Sequence, residues 1–119
     1  MSAARADACR RLTHAARAHP DLVAGTHDRF CTDLLRTTDG RVFAKIGAEG
    51  VYAFGVVDAG VGFAGKVDDG NARGLYVLIV DLLRRRELIT VAEAEALDRW
   101  GATTLRNWDG LDVGHVELA

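Results

Sequence analysis

The residues best suited to chemistry stand at the end of a short predicted strand, in the run Phe43–Gly50, which reads FAKIGAEG. A lysine at such a place can extend its ammonium group into a cleft, and flanking glycines let a ligand approach the backbone. Burial would lower the pKa of Lys45 and make it usable as a proton shuttle or electrostatic anchor. The alternative is a plain hairpin in which Lys45 and Glu49 form a surface ion pair worth about 0–1 kcal/mol. Spacing alone favours this alternative.

A second candidate is the run Gly65–Gly70, which reads GKVDDG. Two adjacent carboxylates, Asp68 and Asp69, precede a predicted helix and could bind a cation or an ammonium group. Acidic residues at this place more often cap the helix and interact favourably with its dipole. The local sequence favours the capping role.

Several catalytic patterns are missing from the chain. Ser2 is the only serine, and the sequence contains no GxSxG, SxxK, HExxH, GxGxxG or P-loop motif. The four histidines lack metal-ligand spacing, so we predict no metal site and no cofactor. A threonine nucleophile stays open, although no activating base stands nearby in sequence. The threonines that precede the lysine strand are Thr26, Thr32, Thr37 and Thr38.

Size and composition indicate one globular domain over residues 1–119. Hydrophobic residues make up 49% and charged residues 27% of the chain, an ordinary balance for a folded protein. A formal net charge of -2 gives no general attraction to nucleic acid or anionic membranes. Neither a signal peptide nor a membrane span is visible, so we predict a cytoplasmic protein. Cys9 and Cys31 are predicted to be reduced thiols.

Helical periodicity marks the elements before the lysine strand. A helix is predicted over residues 2–18, ending before Pro20, with a mostly alanine stripe that buries little area and needs a surface to dock on. Residues 21–25 are predicted to be a connection. A short helix then begins, capped by Thr26 or Asp28, and Asp39-Gly40 predicts a turn. Its buried face is predicted to contain Phe30, Cys31, Leu34 and Leu35.

Three strands are predicted next, over Arg41–Ile46, Val51–Val57 and Val61–Val67. Their short connections predict an antiparallel meander. Glycines inside the strands suggest a bulge or the close approach of another element. These glycines are Gly55, Gly62 and Gly65.

The remaining chain is predicted to hold two helices and an edge strand. The first helix opens at Asp68 and runs to about Arg86, and Gly74 suggests a tight crossing with the sheet. Thr90 to Glu93 fits a capping box, so a second helix should end near Gly101. The tail over 112–118 alternates like a strand. The first helix is predicted to bury Leu75, Leu78, Ile79, Leu82 and Leu83. The fold class is therefore α+β, with helices packed on a small antiparallel sheet.

Four motifs in chain order carry a resemblance to a known family. His19–Thr26 resembles the HP-x-LVAGT segment of the asparaginase II family, which is related to serine β-lactamases. Phe43–Tyr52 is similar to that family's K-x-GAEGVY signature, and Gly65–Arg73 to its K-x-DDG-x-x-R segment. Leu105–Gly114 resembles its LRNW-x-G-x-x-VG segment. Each motif is weak by itself, but the four together are specific.

The resemblance implies an amidohydrolase that converts L-asparagine into L-aspartate and ammonia on a β-lactamase-like fold. It implies a catalytic or substrate-anchoring role for Lys45, with Gly47 and Glu49 framing the site. Further residues placed by the motifs are Thr26 and Arg29 for substrate binding, and Lys66, Asp68, Asp69 and Arg73 for structural support. The family's serine nucleophile, in an SxxK arrangement, has no counterpart in these residues.

The missing serine predicts an incomplete site, which a separate N-terminal half could complete. A homo-oligomer is the other partnership considered. Met1 begins just upstream of a helix that the resemblance places in mid-fold, which suggests a truncated, split or mis-started gene. The family's GT-x-R-x-DT pattern also departs here, with one extra residue before Arg29 and Cys31 in place of an aspartate. Two other functions stay open: a non-catalytic remnant or interaction module, and a small amino-acid-binding domain.

Overall fold

The computed structural model of the chain describes residues 1–117. Within them, six helices and five strands follow one another, and the α+β class is confirmed. In chain order they are α1 (Ala3–Ala18), α2 (Asp21–Ala24), α3 (Phe30–Thr37), β1 (Val42–Ile46), β2 (Val51–Val56), β3 (Val61–Lys66), α4 (Arg73–Arg85), α5 (Val91–Ala96), α6 (Asp98–Gly101), β4 (Thr103–Arg106) and β5 (Asp112–Val116). Across residues 1–117, no helix is both long and apolar enough to cross a bilayer.

The strands form two sheets. The first has the order β1-β2-β3, which confirms the predicted antiparallel meander, and the second pairs β4 with β5. The chain divides into two compact units. The first comprises Met1–Ile46 with Ala53–Ala64, and the second Gly47–Tyr52 with the chain from Gly65 onward.

Helix α1 belongs to the first unit and has no buried residue. Ser2 caps it, since its hydroxyl accepts a hydrogen bond from the amide of Arg5, and it ends before Pro20 as predicted. Leu12 is 69% exposed, which confirms that the alanine stripe buries little area. The helix is attached near its C-terminus, where Arg17 forms an ion pair with Asp39.

The segment between α1 and β1 corrects two predictions. Residues 21–24 form the short helix α2 rather than a connection. The cap of α3 is Arg29, not Thr26 or Asp28, because Arg29 has the extended backbone of a cap while Asp28 has a φ of 50°. The predicted buried face of α3 is confirmed. The Asp39-Gly40 turn is also confirmed, with positive φ at both residues.

The strands of the first unit alternate as their sequence predicts. Val42 and Ala44 are buried on β1, whereas Lys45 is exposed. Phe54 of β2 and Phe63 of β3 stack with ring centroids 5.1 Å apart. The prediction of a close approach is wrong at two of the strand glycines. A Cβ atom on Gly55 or Gly62 would meet only a neighbouring strand's carbonyl, at 3.8 and 4.0 Å, which is ordinary contact.

Helix α4 of the second unit begins at Arg73, five residues later than predicted. Its N-cap is Ala72, which makes no side-chain cap hydrogen bond, so the capping role predicted for Asp68 and Asp69 was wrong. Residues 68–72 form a turn instead, because Gly70 has a φ of 72° that helical geometry does not allow.

The buried face of α4 is rotated from the predicted stripe. Leu75, Ile79 and Leu83 are buried as expected, but Leu78 is 37% exposed and Leu82 only half-buried. Val77 and Val80 are buried in their place. The rotation follows from packing against α6, where a Cβ on Gly101 would lie 3.3 Å from Val80. The tight crossing predicted at Gly74 is absent. A Cβ added there would lie 3.9 Å from the nearest atom, Cγ1 of Val116, which is ordinary contact.

The rest of the second unit confirms one prediction and corrects two. Thr90 and Glu93 form the predicted capping box of α5. The predicted helix to Gly101 is broken at Leu97, whose ψ of 4° ends α5 before α6 begins. The predicted edge strand exists as β5, but it pairs with β4, which sequence analysis missed, rather than with the meander. Leu118, placed at its end, lies outside the described residues.

Candidate functional site

The GAEG motif forms the tight turn between β1 and β2. The amide of Val51 donates to the carbonyl of Ala48 at 3.2 Å, and the amide of Gly47 donates to the carbonyl of Val51 at 2.8 Å. The two central residues, Glu49 and Gly50, have φ values of 56° and 69°. Both lie in the left-handed region, as a type I′ hairpin turn requires. Glycine adopts this region without cost, but a glutamate there is uncommon.

The KVDDG motif forms a second turn, immediately after β3. The amide of Gly70 donates to the carbonyl of Val67 at 3.0 Å. Beyond it, Asp69 Oδ1 accepts a hydrogen bond from the amide of Asn71 at 2.9 Å, and Asn71 Oδ1 accepts one from the amide of Arg73 at 3.0 Å. These two side chains therefore hold the backbone that leads into α4.

The two turns lie against each other within the second unit. A Cβ added to Gly50 would stand 3.1 Å from the carbonyl carbon of Gly70 and 3.1 Å from Cβ of Val67. A Cβ added to Gly70 would stand 3.5 Å from Cα of Glu49. The amide of Val67 also donates to the carbonyl of Gly50 at 3.0 Å. Two motifs that are separate in sequence thus form one local structure. The contact itself requires glycine at Gly50, whereas Gly70 is favoured by its φ of 72°.

Lys66 links these turns through its ammonium group. Its Nζ donates to the carbonyl of Glu49 at 3.0 Å and to the carbonyl of Val67, also at 3.0 Å. The lysine therefore bonds to the backbone of both motifs. The structural role that the resemblance implies for Lys66 stays a prediction.

The acidic pair of the second motif has two different environments. Asp69 lies 3.8 Å from the guanidinium of Arg73, four residues further along the chain, as an exposed pair. Such pairs are worth about 0–1 kcal/mol. Asp68 is exposed, and it makes no hydrogen bond or ion pair within residues 1–117.

Lys45 lies near the end of β1 in the first unit, with an exposed side chain. Its Nζ donates to the carbonyl of Ile46 at 2.6 Å. The side chain therefore lies at the surface, and the burial considered for its catalytic role is absent. In the described part of the first unit, Lys45 forms no hydrogen bond or ion pair with Thr26 or Arg29.

The HP-x-LVAGT motif forms α2 and the loop after it. Gly25 has a φ of 115°, and the side chain of Arg29 packs over it, 3.3 Å from the position of a Cβ. Thr26 and Arg29 are both exposed. Buried Thr32 donates from its hydroxyl to the carbonyl of Gly25 at 2.7 Å, which holds the loop against α3.

Two of the threonines left open as nucleophiles have structural hydrogen bonds. The hydroxyl of Thr32 is bonded to Gly25, as described. Buried Thr38 donates to the carbonyl of Leu34 at 2.7 Å and accepts from the amide of Val42 at 3.2 Å. These bonds explain why a polar side chain is stable at each buried position.

The LRNW motif forms the hairpin between β4 and β5. Asn107 Oδ1 accepts hydrogen bonds from the amides of Asp109 and Leu111, at 3.0 and 2.9 Å. Trp108, beside it at the tip, is fully exposed. Sequence analysis missed this organising role of Asn107, although an asparagine followed three residues later by glycine is a turn signal.

An ion pair closes the same hairpin below its tip. Arg106 Nε donates to Asp112 Oδ1 at 2.7 Å, beside a register shift between the strands. The hydrogen bond from Arg106 to Asp112, with the attraction of that carboxylate, raises the pKa of Arg106. Arginine is already charged at any physiological pH, so the pair adds no pH dependence there.

A shallow concavity lies along one side of α1, and no motif residue lines it. Its lining residues are Ala8, Arg10, Arg11, Leu12, His14 and Ala15. Among residues 1–117, no group of three or more His, Cys, Asp or Glu side chains is arranged to hold a metal ion.

Comparison with known proteins identifies the family. The family model described as L-asparaginase II matches residues 1–118, which is essentially the whole chain. A search of curated proteins finds no significant match. The family match includes all four motifs, among them the two whose turns lie against each other. The chain therefore belongs to the L-asparaginase II family.

Proposed function

We propose that this chain supplies part of an L-asparaginase site, where L-asparagine is hydrolysed to L-aspartate and ammonia. Membership of the L-asparaginase II family over residues 1–118 is the observation that carries the proposal. The contact between the GAEG and KVDDG turns supports it. A ligand site needs a rigid backbone frame, and two glycine turns bonded to each other provide one.

The reaction requires a nucleophile that attacks the side-chain amide carbon of asparagine. In the proposed route a serine oxygen forms a bond to that carbon, the C–N bond breaks, and ammonia leaves with a transferred proton. Water then hydrolyses the acyl ester and releases aspartate. Lys45 aids the proton transfer or stabilises the charge of the tetrahedral intermediate.

Ser2 does not suit the role of nucleophile. It is the only serine of the 119 residues, its hydroxyl caps α1, and the residue three positions later is Arg5 rather than lysine. We therefore assign the nucleophile to a serine-bearing segment outside these 119 residues, because a second copy of this chain would supply only Ser2 again.

The remaining roles follow the motifs. Gly47 allows the substrate close to the backbone, and the exposed carboxylate of Glu49 suits the α-ammonium group of an amino acid. Thr26 and the guanidinium of Arg29 suit its α-carboxylate. Lys66, Asp69 and Arg73 support the KVDDG turn through their contacts, and Asp68 is one of its two central residues. The proposal places the protein in the cytoplasm, which cell fractionation would test.

A second candidate function is a protein-interaction module. The observation that favours it is Trp108, fully exposed at the hairpin tip, with Leu111 and Val113 more than half exposed nearby. Exposed tryptophans are frequent anchors of protein interfaces. The third possibility, a binder of free amino acids without turnover, uses the same residues as the enzyme.

The decisive experiment measures ammonia release from L-asparagine. The purified chain is assayed alone and after mixing with a serine-bearing segment of an L-asparaginase II protein that contains SxxK. We expect no turnover alone, turnover in the mixture, and a loss of at least 100-fold on Lys45→Ala, as for removal of one stabilising group. Thr104→Ala, an exposed strand position outside the proposed site, is the control.

Each outcome separates the candidate functions. Turnover by the chain alone would contradict the assignment of the nucleophile to another segment. Thermal stabilisation by L-asparagine without ammonia release, in both preparations, would favour the binder. If the mixture shows no thermal stabilisation by L-asparagine and no turnover, the proposal is contradicted and the interaction module is favoured.

A further inference from the structure

Lys66 is an exposed lysine whose hydrogen-bond partners are backbone carbonyls. Its ammonium group donates to two backbone carbonyls, of Glu49 and of Val67, each at 3.0 Å. No carboxylate within residues 1–117 forms an ion pair with it. The two carbonyls belong to different motifs, and Glu49 lies 17 residues before Lys66 in the chain. The hydrogen bonds therefore link two turns rather than neutralise a charge.

The turn that Lys66 contacts is the one with the costly backbone. Glu49 has a φ of 56°, in a region that is sterically unfavourable for any residue with a Cβ atom. Such a conformation persists when surrounding contacts determine it. Three contacts do so here: the Lys66 bond to the carbonyl of Glu49, the bond from the amide of Val67 to Gly50, and the packing of Gly50 on Gly70.

Of these three contacts, only the Lys66 bond depends on a charged side chain. A charge-assisted hydrogen bond is stronger than a neutral one, and it bonds directly to the peptide that follows Glu49. The direction of the Glu49 side chain is set by that same peptide. Moving the peptide by a fraction of an ångström would displace the carboxylate at the end of a long side chain by more.

We propose that Lys66 is a positioning residue: its ammonium group holds the Glu49–Gly50 turn in place, and thereby orients the Glu49 carboxylate toward the α-ammonium group of the substrate. The second half of this proposal rests on the proposed function. The first half concerns only the turn and stands independently.

The first test is hydrogen exchange of backbone amides in the full chain, followed by NMR. Lys66→Met keeps the length of the side chain but removes every donor. We expect exchange at least tenfold faster at Val51, Val67 and Gly70, and unchanged exchange at Leu83 in the core of α4. Lys66→Arg retains donors and should restore protection. Arg85→Met, which removes an exposed cation of the second unit, is the matched control and should change none of these rates.

Two results of this test would overturn the proposal. One is exchange of the turn amides in Lys66→Met that is no faster than in the wild type or no faster than in Lys66→Arg. The other is exchange that accelerates equally at Leu83, because this would indicate a general loss of stability.

The second test measures the Kd for L-asparagine by titration calorimetry. We expect a rise of about tenfold for Lys66→Met, a value near wild type for Lys66→Arg, and a thermal midpoint within a few degrees of wild type for both. Unchanged affinity in Lys66→Met would overturn the orienting role. If the wild-type chain and its mixture with the serine-bearing segment do not bind L-asparagine, the proposed function fails, while hydrogen exchange still decides whether Lys66 holds the turn.

Discussion

The two turns of the meander connect similar strands but have different surroundings. The first, between β1 and β2, has Glu49 and Gly50 at its centre, and Gly50 is buried. The second, between β2 and β3, ends at Gly60, whose φ of 64° resembles the 69° of Gly50. A Cβ on Gly60 would meet no atom within 4 Å, whereas one on Gly50 would meet the backbone of Gly70 at 3.1 Å.

The difference separates two reasons for a glycine in a turn. At Gly60 only the backbone angle requires it, so any residue that tolerates a positive φ would serve. At Gly50 the angle and the contact with Gly70 both require it, because a side chain would push two turns apart. The turn within the family motif is therefore constrained by tertiary contacts, and the other turn is constrained only locally.

The largest effect is expected from Gly50→Ala. The positive φ and the added contact act together, so the substitution should lower the free energy of unfolding by about 2–4 kcal/mol. Guanidinium denaturation followed by circular dichroism measures it. A loss below that of Gly60→Ala would contradict the importance of the contact with Gly70.

Gly60→Ala should cost about 1 kcal/mol, because only the backbone angle is unfavourable. The same denaturation experiment measures this value, with Ala59→Gly in the same turn as the control for glycine content. A cost equal to that of Gly50→Ala would remove the distinction between the turns. Asparagine binding should not change in this variant.

Glu49→Gly should raise the free energy of unfolding slightly, by about 0.5 kcal/mol, since relief of the positive φ exceeds the added flexibility of the unfolded chain. At the same time it should weaken binding of L-asparagine, measured by calorimetry. Glu87→Gly is the matched control, because Glu87 has a φ of 53° at the end of α4 and lies outside the motifs. Equal effects of both variants on binding would argue against a role for Glu49.

The smallest effect is expected from Asp58→Asn in the second turn. Asp58 lies 3.7 Å from Arg41, and an exposed pair at that distance contributes less than about 0.5 kcal/mol. Asparagine retains the side-chain oxygen that accepts from the amide of Ala59 at 3.1 Å. A stability loss above about 1 kcal/mol that disappears in high salt would show that this turn also depends on electrostatic contacts.

Much of the fold could be predicted because the signals are local. Pro20 ends α1, Thr90 and Glu93 form the capping box of α5, and short connections predict the meander. Each of these features depends on residues within a few positions of one another. The strand β4 was missed because its four residues carry no clear alternation, and it is stable only when paired with β5.

The candidate site could be predicted only in part. The motifs identify the family, and they select the two turns that lie against each other. Spacing favoured a surface position for Lys45 over a buried one, and its side chain is exposed. It also suggested that Asp68 and Asp69 cap a helix, but the helix begins only after the turn that the bond from Gly70 to Val67 closes.

Local rules thus account for the end of α1, the Asp39-Gly40 turn and the capping box of α5. Local rules do not account for the buried face of α4 or for the hydrogen bonds of Lys66. Val80 is buried against Gly101 of α6, and Lys66 donates to the carbonyl of Glu49, 17 residues earlier in the chain, because two turns lie against each other. Such contacts depend on the folded path of the backbone, since no local preference of a lysine selects a distant carbonyl.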